Sequence, residues 1–267
     1  MKKTIHIRLA VLGLVLLSAT LINKTASFGR IKGLSDSPKN KAIKGLVIPH
    51  HQLAGELITK SIEVLHQNTN DYEIIVVLGP NHFHPESYTL TSSATLKNVA
   101  TDSEFIKNTT ITFPKTLVDQ DIVEAEHGVM VAVNHLRQYF PGAKFVPFVI
   151  SPYYTEESLR EIANFLSQNL PTNTLYVASV DFSHNLLADE SLLNNIESIK
   201  TIQSFDFTKL FEFKDTHMDS PASIALVMMV MQNLKTTNWM TIDSLHSGLL
   251  LSDPTIQGTS YVTGIFY

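Results

Sequence analysis

The sequence predicts an α/β fold with a mainly parallel central sheet and helices on both faces. Three buried-type strands, at 42–48, 73–78 and 175–180, each run directly into histidine or aspartate side chains. Between the first two strands, residues 52–67 place apolar side chains at helical spacing with one polar face, so this part of the chain forms a βαβ unit. We therefore expect the polar residues to gather at the carboxyl edge of the sheet, where open parallel sheets bind ligands.

The remaining elements are predicted from periodicity and from turn residues. They are exposed strand and turn at 87–99 and 111–114, an acid-led helix from 119 to 136, a core strand at 144–150, a helix at 155–170, helices over 189–213 with a break at 204–206, a buried helix from 220, and a closing hairpin of 239–245 and 259–266. Pro147 lies inside the 144–150 strand. Because proline cannot donate to a strand ladder, we expect that strand to be irregular or at a sheet edge.

Composition narrows the class of protein. The chain has 267 residues, 44% hydrophobic and 17% charged, which indicates a well-cored globular domain, or at most two small ones. The formal net charge of −5, without a long basic run, gives no electrostatic support for nucleic-acid binding. The chain has no cysteine, which excludes disulfides, thiol catalysis and cysteine-bound metal clusters. Any metal must be held by nitrogen or oxygen ligands.

The first 26 residues resemble an export segment. A basic start with Lys2, Lys3 and Arg8 precedes an uncharged, mostly apolar run over 9–22. This run is shorter than the roughly 20 residues of a membrane span. Two interpretations remain open, a cleaved signal peptide and an N-terminal membrane anchor. We expect residues 1–26 to contact a membrane in one of these two roles. Residues 27–41 would then be a linker and 42–267 an extracytoplasmic domain, membrane-anchored or secreted.

Four short segments carry side chains of the metal-ligand type. They contain His50 and His51, His82 and His84, Glu126 and His127, and Asp181 and His184. Neutral imidazole is the commonest metal ligand, and histidine with carboxylate suits zinc, iron and copper. The spacing of Asp181 and His184 places both on one face of a helical turn, where they can bind a metal or transfer protons. The usual nucleophile-elbow, phosphate-loop, dinucleotide and H-E-x-x-H motifs are absent from the sequence.

The order of these segments resembles the Memo family, also known as AmmeMemoRadiSam system protein B. The matching motifs are PH after the first strand, LGPNH after the second, AEH before a helix, and SVDFSH after a later strand, within roughly residues 42–267. Members of that family are similar to the catalytic subunit of class III extradiol dioxygenases, a LigB-like α/β fold that holds non-haem iron. The resemblance places metal-site histidines at His50 and His82. It matches Asp181 and His184 to the family's SD-x-SH segment and His127 to its EHS histidine.

The sequence departs from the family pattern around these positions. PHAGY reads PHHQL, LGPSHH reads LGPNHFH, and EHS-x-E reads EHG-V-M. Some animal members use a cysteine near the C-terminus at the metal site, and this chain has none. The pair formed by His50 and His82 is retained.

These observations predict a Memo-like metal-binding protein, with non-haem iron or copper as candidate cofactors and redox or dioxygenase-type chemistry on an unknown small molecule or protein ligand. His50 and His82 are the expected ligands, and Asp181 and His184 complete the ligand set or act as acid and base. His51, His84 and His127 are expected to orient ligands through their second ring nitrogen. Alternatives are a metal-independent binding module, a metal-dependent hydrolase using Asp181 and His184, and a merely polar, water-filled pocket.

Overall fold

A computed structural model describes residues 26–27, 30–32, 41–68, 71–83 and 88–267. Its strands are β1 (Ala26–Ser27), β2 (Arg30–Lys32), β3 (Gly45–Ile48), β4 (Ile74–Pro80), β5 (Leu90–Ser92), β6 (Thr116–Val118), β7 (Lys144–Ile150), β8 (Thr174–Ser179), β9 (Trp239–His246) and β10 (Ser260–Phe266). Its α-helices are α1 (Gly55–His66), α2 (Ser103–Thr112), α3 (Gln120–Ala125), α4 (His127–Tyr139), α5 (Glu156–Asn169), α6 (Ala188–Ser204), α7 (Phe207–Glu212), α8 (Pro221–Leu234) and α9 (Ser247–Leu250).

The strands form one mixed sheet in the order β1-β2-β9-β10-β3-β8-β4-β7-β5-β6. The centre, β3-β8-β4-β7, is parallel, while β10 and β5 pair antiparallel to β3 and β7 on its two sides. The predicted α/β class is therefore confirmed, as is the closing hairpin of β9 and β10.

Two hydrophobic cores cover the two faces of this sheet. Successive residues of a strand point to opposite faces, so Val76 packs with α5 and α8 on one side, and Ile75 packs with α1 and α4 on the other. Helix α8 is apolar almost all round, and its residues 222–231 are all buried. Because both faces of the sheet are covered, a ligand-binding site can open only at the rim of the sheet, where its strands end.

The parallel register aligns the carboxyl ends of the central strands. Ile48 at the end of β3 pairs with Ser179 at the end of β8, and Leu78 near the end of β4 pairs with Ala178 of β8. The residues that follow these strands therefore emerge side by side at one edge of the sheet.

The predicted helix over 119–136 is two helices, α3 and α4, separated at Glu126, and two further local predictions are wrong. Residues 111–112, predicted as exposed strand, end helix α2, which begins where the Asp102 carboxylate accepts the N–H of Phe105 at 3.0 Å. The β7 strand that contains Pro147 lies inside the sheet, between β4 and β5. Proline is tolerated at this interior position because the pairing with β5 ends one residue away, at Phe148. The Pro147 carbonyl, which faces β5, accepts the Ser92 hydroxyl at 2.7 Å.

The N-terminal region is described only in part. Ile31 of β2 pairs with Ser244 of β9, so part of the stretch predicted as a linker joins the sheet. Residues 1–25, on which the prediction of an export segment rests, lie outside the described residues. Within the described residues, no helix has both the length and the apolar character needed to cross a membrane.

Candidate metal centre

His50 is fixed at the end of β3 by contacts on both its backbone and its ring. The residue is 2% exposed, and its backbone N–H donates to Asp181 Oδ1 at 3.0 Å. Its Nδ1 lies 3.2 Å from the carbonyl oxygen of Ser179. A carbonyl can only accept, so Nδ1 carries a proton and Nε2 is the ring nitrogen that a metal can reach.

His82 is held in the same way by Glu126, which is 1% exposed. The Glu126 carboxylate accepts the His82 backbone N–H at 2.9 Å, its Nδ1–H at 2.8 Å and the Gly128 N–H at 2.8 Å. Gly79 lets strand β4 and helix α4 approach each other closely, because a Cβ at Gly79 would clash with the carbonyl of Gly128. Nε2 is again the free ring nitrogen of His82.

Asp219 completes the cluster, although none of the sequence motifs contains it. Its Oδ2 lies 3.1 Å from His50 Nε2 and 3.8 Å from His82 Nε2, and its side chain is 10% exposed. An antiparallel bridge between Phe182 and Met218 brings it there, with its backbone N–H donating to the Asp181 carbonyl at 3.1 Å. The local signal was an acidic residue directly before the Ser-Pro start of α8, which by itself is common.

Three imidazoles meet above this carboxylate. The His50 ring centroid lies 5.2 Å from that of His82 and 5.3 Å from that of His127, and the His82 and His127 rings stack at 4.4 Å. One candidate metal-binding set is His50, His82 and His127, and the other is His50, Asp181 and Asp219; within each set one donor atom per residue lies within 4.8 Å of the others. The residues present therefore suit a metal ion bound through nitrogen and oxygen.

Charge pairing dominates the site's electrostatics. Burial disfavours charged imidazole, but the carboxylates of Asp181 and Asp219 outweigh it and raise the pKa of His50 to about 9. The pKa of His82 is raised to about 10, because its contacts with Asp219 and Glu126 likewise outweigh the effect of burial. Burial also disfavours the ionised form of Asp219, yet the imidazoles of His50 and His82 hold its pKa at about 2. Contact with His82 lowers the pKa of Glu126. Metal-free protein at neutral pH therefore carries both imidazoles charged.

The pKa values of Asp181 and His127 shift in the opposite direction to those of the other carboxylates and imidazoles of the cluster. Burial, together with the nearby charge of Asp219, raises the pKa of Asp181. Burial and the charges of His82 and His50 lower the pKa of His127, so this imidazole is neutral near neutral pH.

A cavity of about 410 Å³ adjoins the cluster. His82, His184 and Asp219 line it, together with the aromatic side chains of Tyr154 and Phe213. His50 and Asp181 are 2% and 4% exposed. The arrangement places a donor pair, Asp219 and His82, where a small molecule in the cavity can reach it.

The other predicted residues are distributed unevenly. His51 points away from the cluster, with its Nδ1 2.6 Å from the Tyr261 hydroxyl. His184 lines the cavity, and its buried Nδ1 has no hydrogen-bond partner among the described residues. Asp181 and His184 do not share the predicted helical turn, because the Phe182 bridge keeps this segment non-helical. His84 lies outside the described residues.

Replacing Glu126 by Ala should destabilise the metal-free protein by about 2–4 kcal/mol, because the buried N–H of Gly128 and the partly buried N–H of His82 would lose their acceptor. Urea unfolding measures the change. The control is Glu161→Ala on the exposed face of α5, expected within about 0.5 kcal/mol of the unmodified protein. Equal stability of the two variants would show that the Glu126 contacts contribute nothing to the fold.

The sequence of the whole domain matches known relatives. The family model described as Memo-like protein matches residues 21–265. A MEMO1 family protein of Aquifex aeolicus is 25% identical over 256 residues, covering 87% of this chain and 66% of the relative. One from Methanopyrus kandleri is 28% identical over 188 residues, covering 66% and 65%. The chain thus spans just under two thirds of the length of these two relatives. One from Nitrosopumilus maritimus is 24% identical over 237 residues, covering 84% and 83%.

The fold also has a counterpart among solved structures. The crystal structure of an uncharacterised protein from Escherichia coli K12 aligns with a TM-score of 0.51 and 10% identity, covering 82% of this chain and 99% of that one. At this identity the likeness concerns the fold alone. The family model and the curated relatives confirm the resemblance seen in the motifs, and this chain belongs to the Memo-like protein family.

Proposed function

We propose that this protein binds one divalent metal ion through His50 and His82 and uses it on a small molecule held in the adjacent cavity. The observation that carries the proposal is the common design of the two histidines. Each Nδ1 is held by an acceptor, Ser179 or Glu126, and each Nε2 faces the same carboxylate, that of Asp219. Such outer contacts fix the ring of a metal-ligating histidine.

The donor set suits zinc, iron and copper, and the resemblance to the Memo family favours iron or copper among them. Nitrogen and oxygen donors are available and sulfur is not, since the chain has no cysteine. The bound ion would supply Lewis acidity or a redox centre. Asp181 holds the backbone of His50 and adds negative charge beside it. His184, in the cavity wall, is placed to take or give a proton to a molecule bound there.

Redox or dioxygenase-type chemistry is the reaction class we favour. It rests on the likeness of the Memo family to extradiol dioxygenases and on a cavity with aromatic walls beside the imidazoles. The second candidate is a metal-dependent hydrolase, which the unpartnered Nδ1 of His184 favours. Oxygen consumption with catechols supports the first, and turnover of esters or phosphate esters supports the second.

His82→Ala should abolish stoichiometric iron or copper binding without unfolding the protein, because His82 lies in a partly exposed loop. His66→Ala, at the exposed end of α1, is the control and should bind metal normally. Elemental analysis of anaerobically purified protein gives the stoichiometry, and thermal unfolding checks the fold. Equal metal content in the two variants would remove the histidine assignment. Metal-free wild type that gains no metal on reconstitution would favour a binding module.

Metal affinity should rise with pH from 7 to about 9. In metal-free protein the pKa is about 9 for His50 and about 10 for His82, so a metal must displace one proton from each Nε2. Affinity then falls as pH drops below these values, above the range of about 6.5 expected for an unperturbed histidine. Competition titrations at pH 7, 8 and 9 measure it, with proton release followed by an indicator dye. An affinity that is constant over this range would exclude both histidines as ligands.

We also propose that the domain is exported, either by a cleaved signal or on an N-terminal anchor in contact with a membrane. The support is the basic and then apolar pattern of residues 1–26. Cell fractionation should place the protein outside the cytoplasm, and full-length protein free in the cytosol would contradict this.

A further inference from the structure

We infer that a second cavity, apart from the metal cluster, binds an aliphatic molecule that ends in a neutral hydrogen-bond acceptor, such as a hydroxyl or an ester carbonyl. This cavity has a volume of about 990 Å³ and is partly open to solvent. Its volume is near the upper end of the range of roughly 300–1,000 Å³ that is typical of ligand pockets. None of the candidate metal ligands lines it. Binding here is therefore independent of the proposed metal function.

Leucine side chains form most of the apolar wall of this second cavity. They belong to the 3₁₀ turn Gln52–Ala54, to α1, to β9 and to α9. The five leucines are Leu53, Leu57, Leu245, Leu249 and Leu250. Leu57 is buried, and the other four keep part of their surface exposed. Covering such a surface with methylene groups is favourable in any orientation, so the wall suits a plain aliphatic chain.

Hydrogen bonds hold the α9 wall in place without a ligand. The Gly248 N–H donates to Nδ1 of His246 at 3.1 Å, and His246 Nε2 lies 3.1 Å from the carbonyl oxygen of Leu186. Because a carbonyl can only accept, Nε2 carries the proton and Nδ1 is free to accept. The Asp253 N–H donates to the Gly248 carbonyl at 2.7 Å. A wall that is ordered beforehand lowers the entropic cost of binding.

An ion pair supplies the polar end of the cavity. Asp243 is fully buried, and its Oδ2 accepts a hydrogen bond from the Lys60 ammonium at 3.0 Å. Its Oδ1 accepts the Ser244 N–H at 3.0 Å. The Lys60 side chain is 53% exposed, and an ammonium has three N–H donors. Lys60 can therefore donate to a ligand while it keeps its contact with Asp243.

The charges of the lining favour a neutral polar group on the ligand. Lys60 and Asp243 balance each other, and Glu56 adds a negative charge to the lining. A carboxylate on the ligand would face both acidic side chains, and an ammonium would face the Lys60 cation. A hydroxyl or carbonyl oxygen accepts from Lys60 without either repulsion. It also leaves the pair with Asp243 intact, which matters because an unpaired buried carboxylate is costly.

The test uses the full, metal-free chain, methyl-labelled at leucine and titrated with hexanol, octanol and decanol under NMR observation. Binding should saturate at one molecule per chain, and the shifts should be confined to the leucines of the cavity. Affinity should rise about threefold for each added methylene. Decanoate and decylammonium should bind at least about tenfold more weakly than decanol, because each brings a like charge against the lining.

Variants separate the wall from the polar end. Leu249→Asp places a charge in the wall and should weaken decanol binding by more than about tenfold. Its control is Leu193→Asp, at a 69% exposed position of α6, which should bind as the unmodified protein does. Lys60→Met combined with Asp243→Asn removes the donor and leaves no buried charge unpaired. This double variant should lose about tenfold in decanol affinity and keep the dependence on chain length.

The outcomes identify the occupant. Absence of saturable decanol binding, preference for decanoate or decylammonium, or equal affinity of folded Leu249→Asp and unmodified protein would each overturn the proposal. Shifts that appear only with neutral phosphatidylcholine vesicles would make the partner a lipid surface, and shifts that change on dilution without alcohol would make it a second copy of the chain. Both results would overturn the small-molecule site. If circular dichroism shows that Leu249→Asp misfolds, the double variant and the chain-length series decide. Metal binding by His50 and His82 is unaffected by any of these results.

Discussion

Parallel pairing of β3, β8 and β4 is the constraint on which the site depends. Because these strands run in one direction and in register, His50, Asp181 and His82 leave the sheet at the same edge. A shift of one residue in any strand would turn its side chains to the opposite face. The hydrophobic cores on both faces fix the register, since such a slip would also expose the apolar set of that strand. Core packing and ligand geometry are therefore one requirement.

The electrostatics of the cluster indicate function more than stability. Burying charged groups costs free energy, and a well-packed apolar cluster is often as stable as a buried ion pair. Here His50, Asp181 and Asp219 are buried together, with Glu126 behind His82. In the metal-free protein two imidazolium charges, on His50 and His82, face three carboxyl groups, of which Asp181 has a raised pKa. A divalent cation that displaces the two Nε2 protons leaves the net charge unchanged, so the site can exchange protons for metal at little electrostatic cost.

The sequence predicts the sheet and every residue of the cluster except Asp219, and the limits have physical causes. His50 was identifiable because a strand end fixes where its side chain goes. The expected position of His51 beside the ligands is wrong, because adjacent residues of an extended chain point to opposite sides. The ring of His51 therefore contacts Tyr261 instead. Asp219 follows no strand. It reaches the site through the Met218 bridge, a contact between distant parts of the chain that leaves no local periodicity.

The surroundings of the candidate metal centre differ on its two sides. On one side His127 is half exposed, and Phe83, which occupies a position where the family motif has histidine, is 56% exposed with its ring 5.6 Å from that of His127. This side offers an apolar ring. On the other side Asp219 and His184 line a partly open cavity that provides a carboxylate and an imidazole beside His82. Polar groups able to orient a reacting molecule thus lie on the cavity side, and chemistry at this centre is expected to proceed from there.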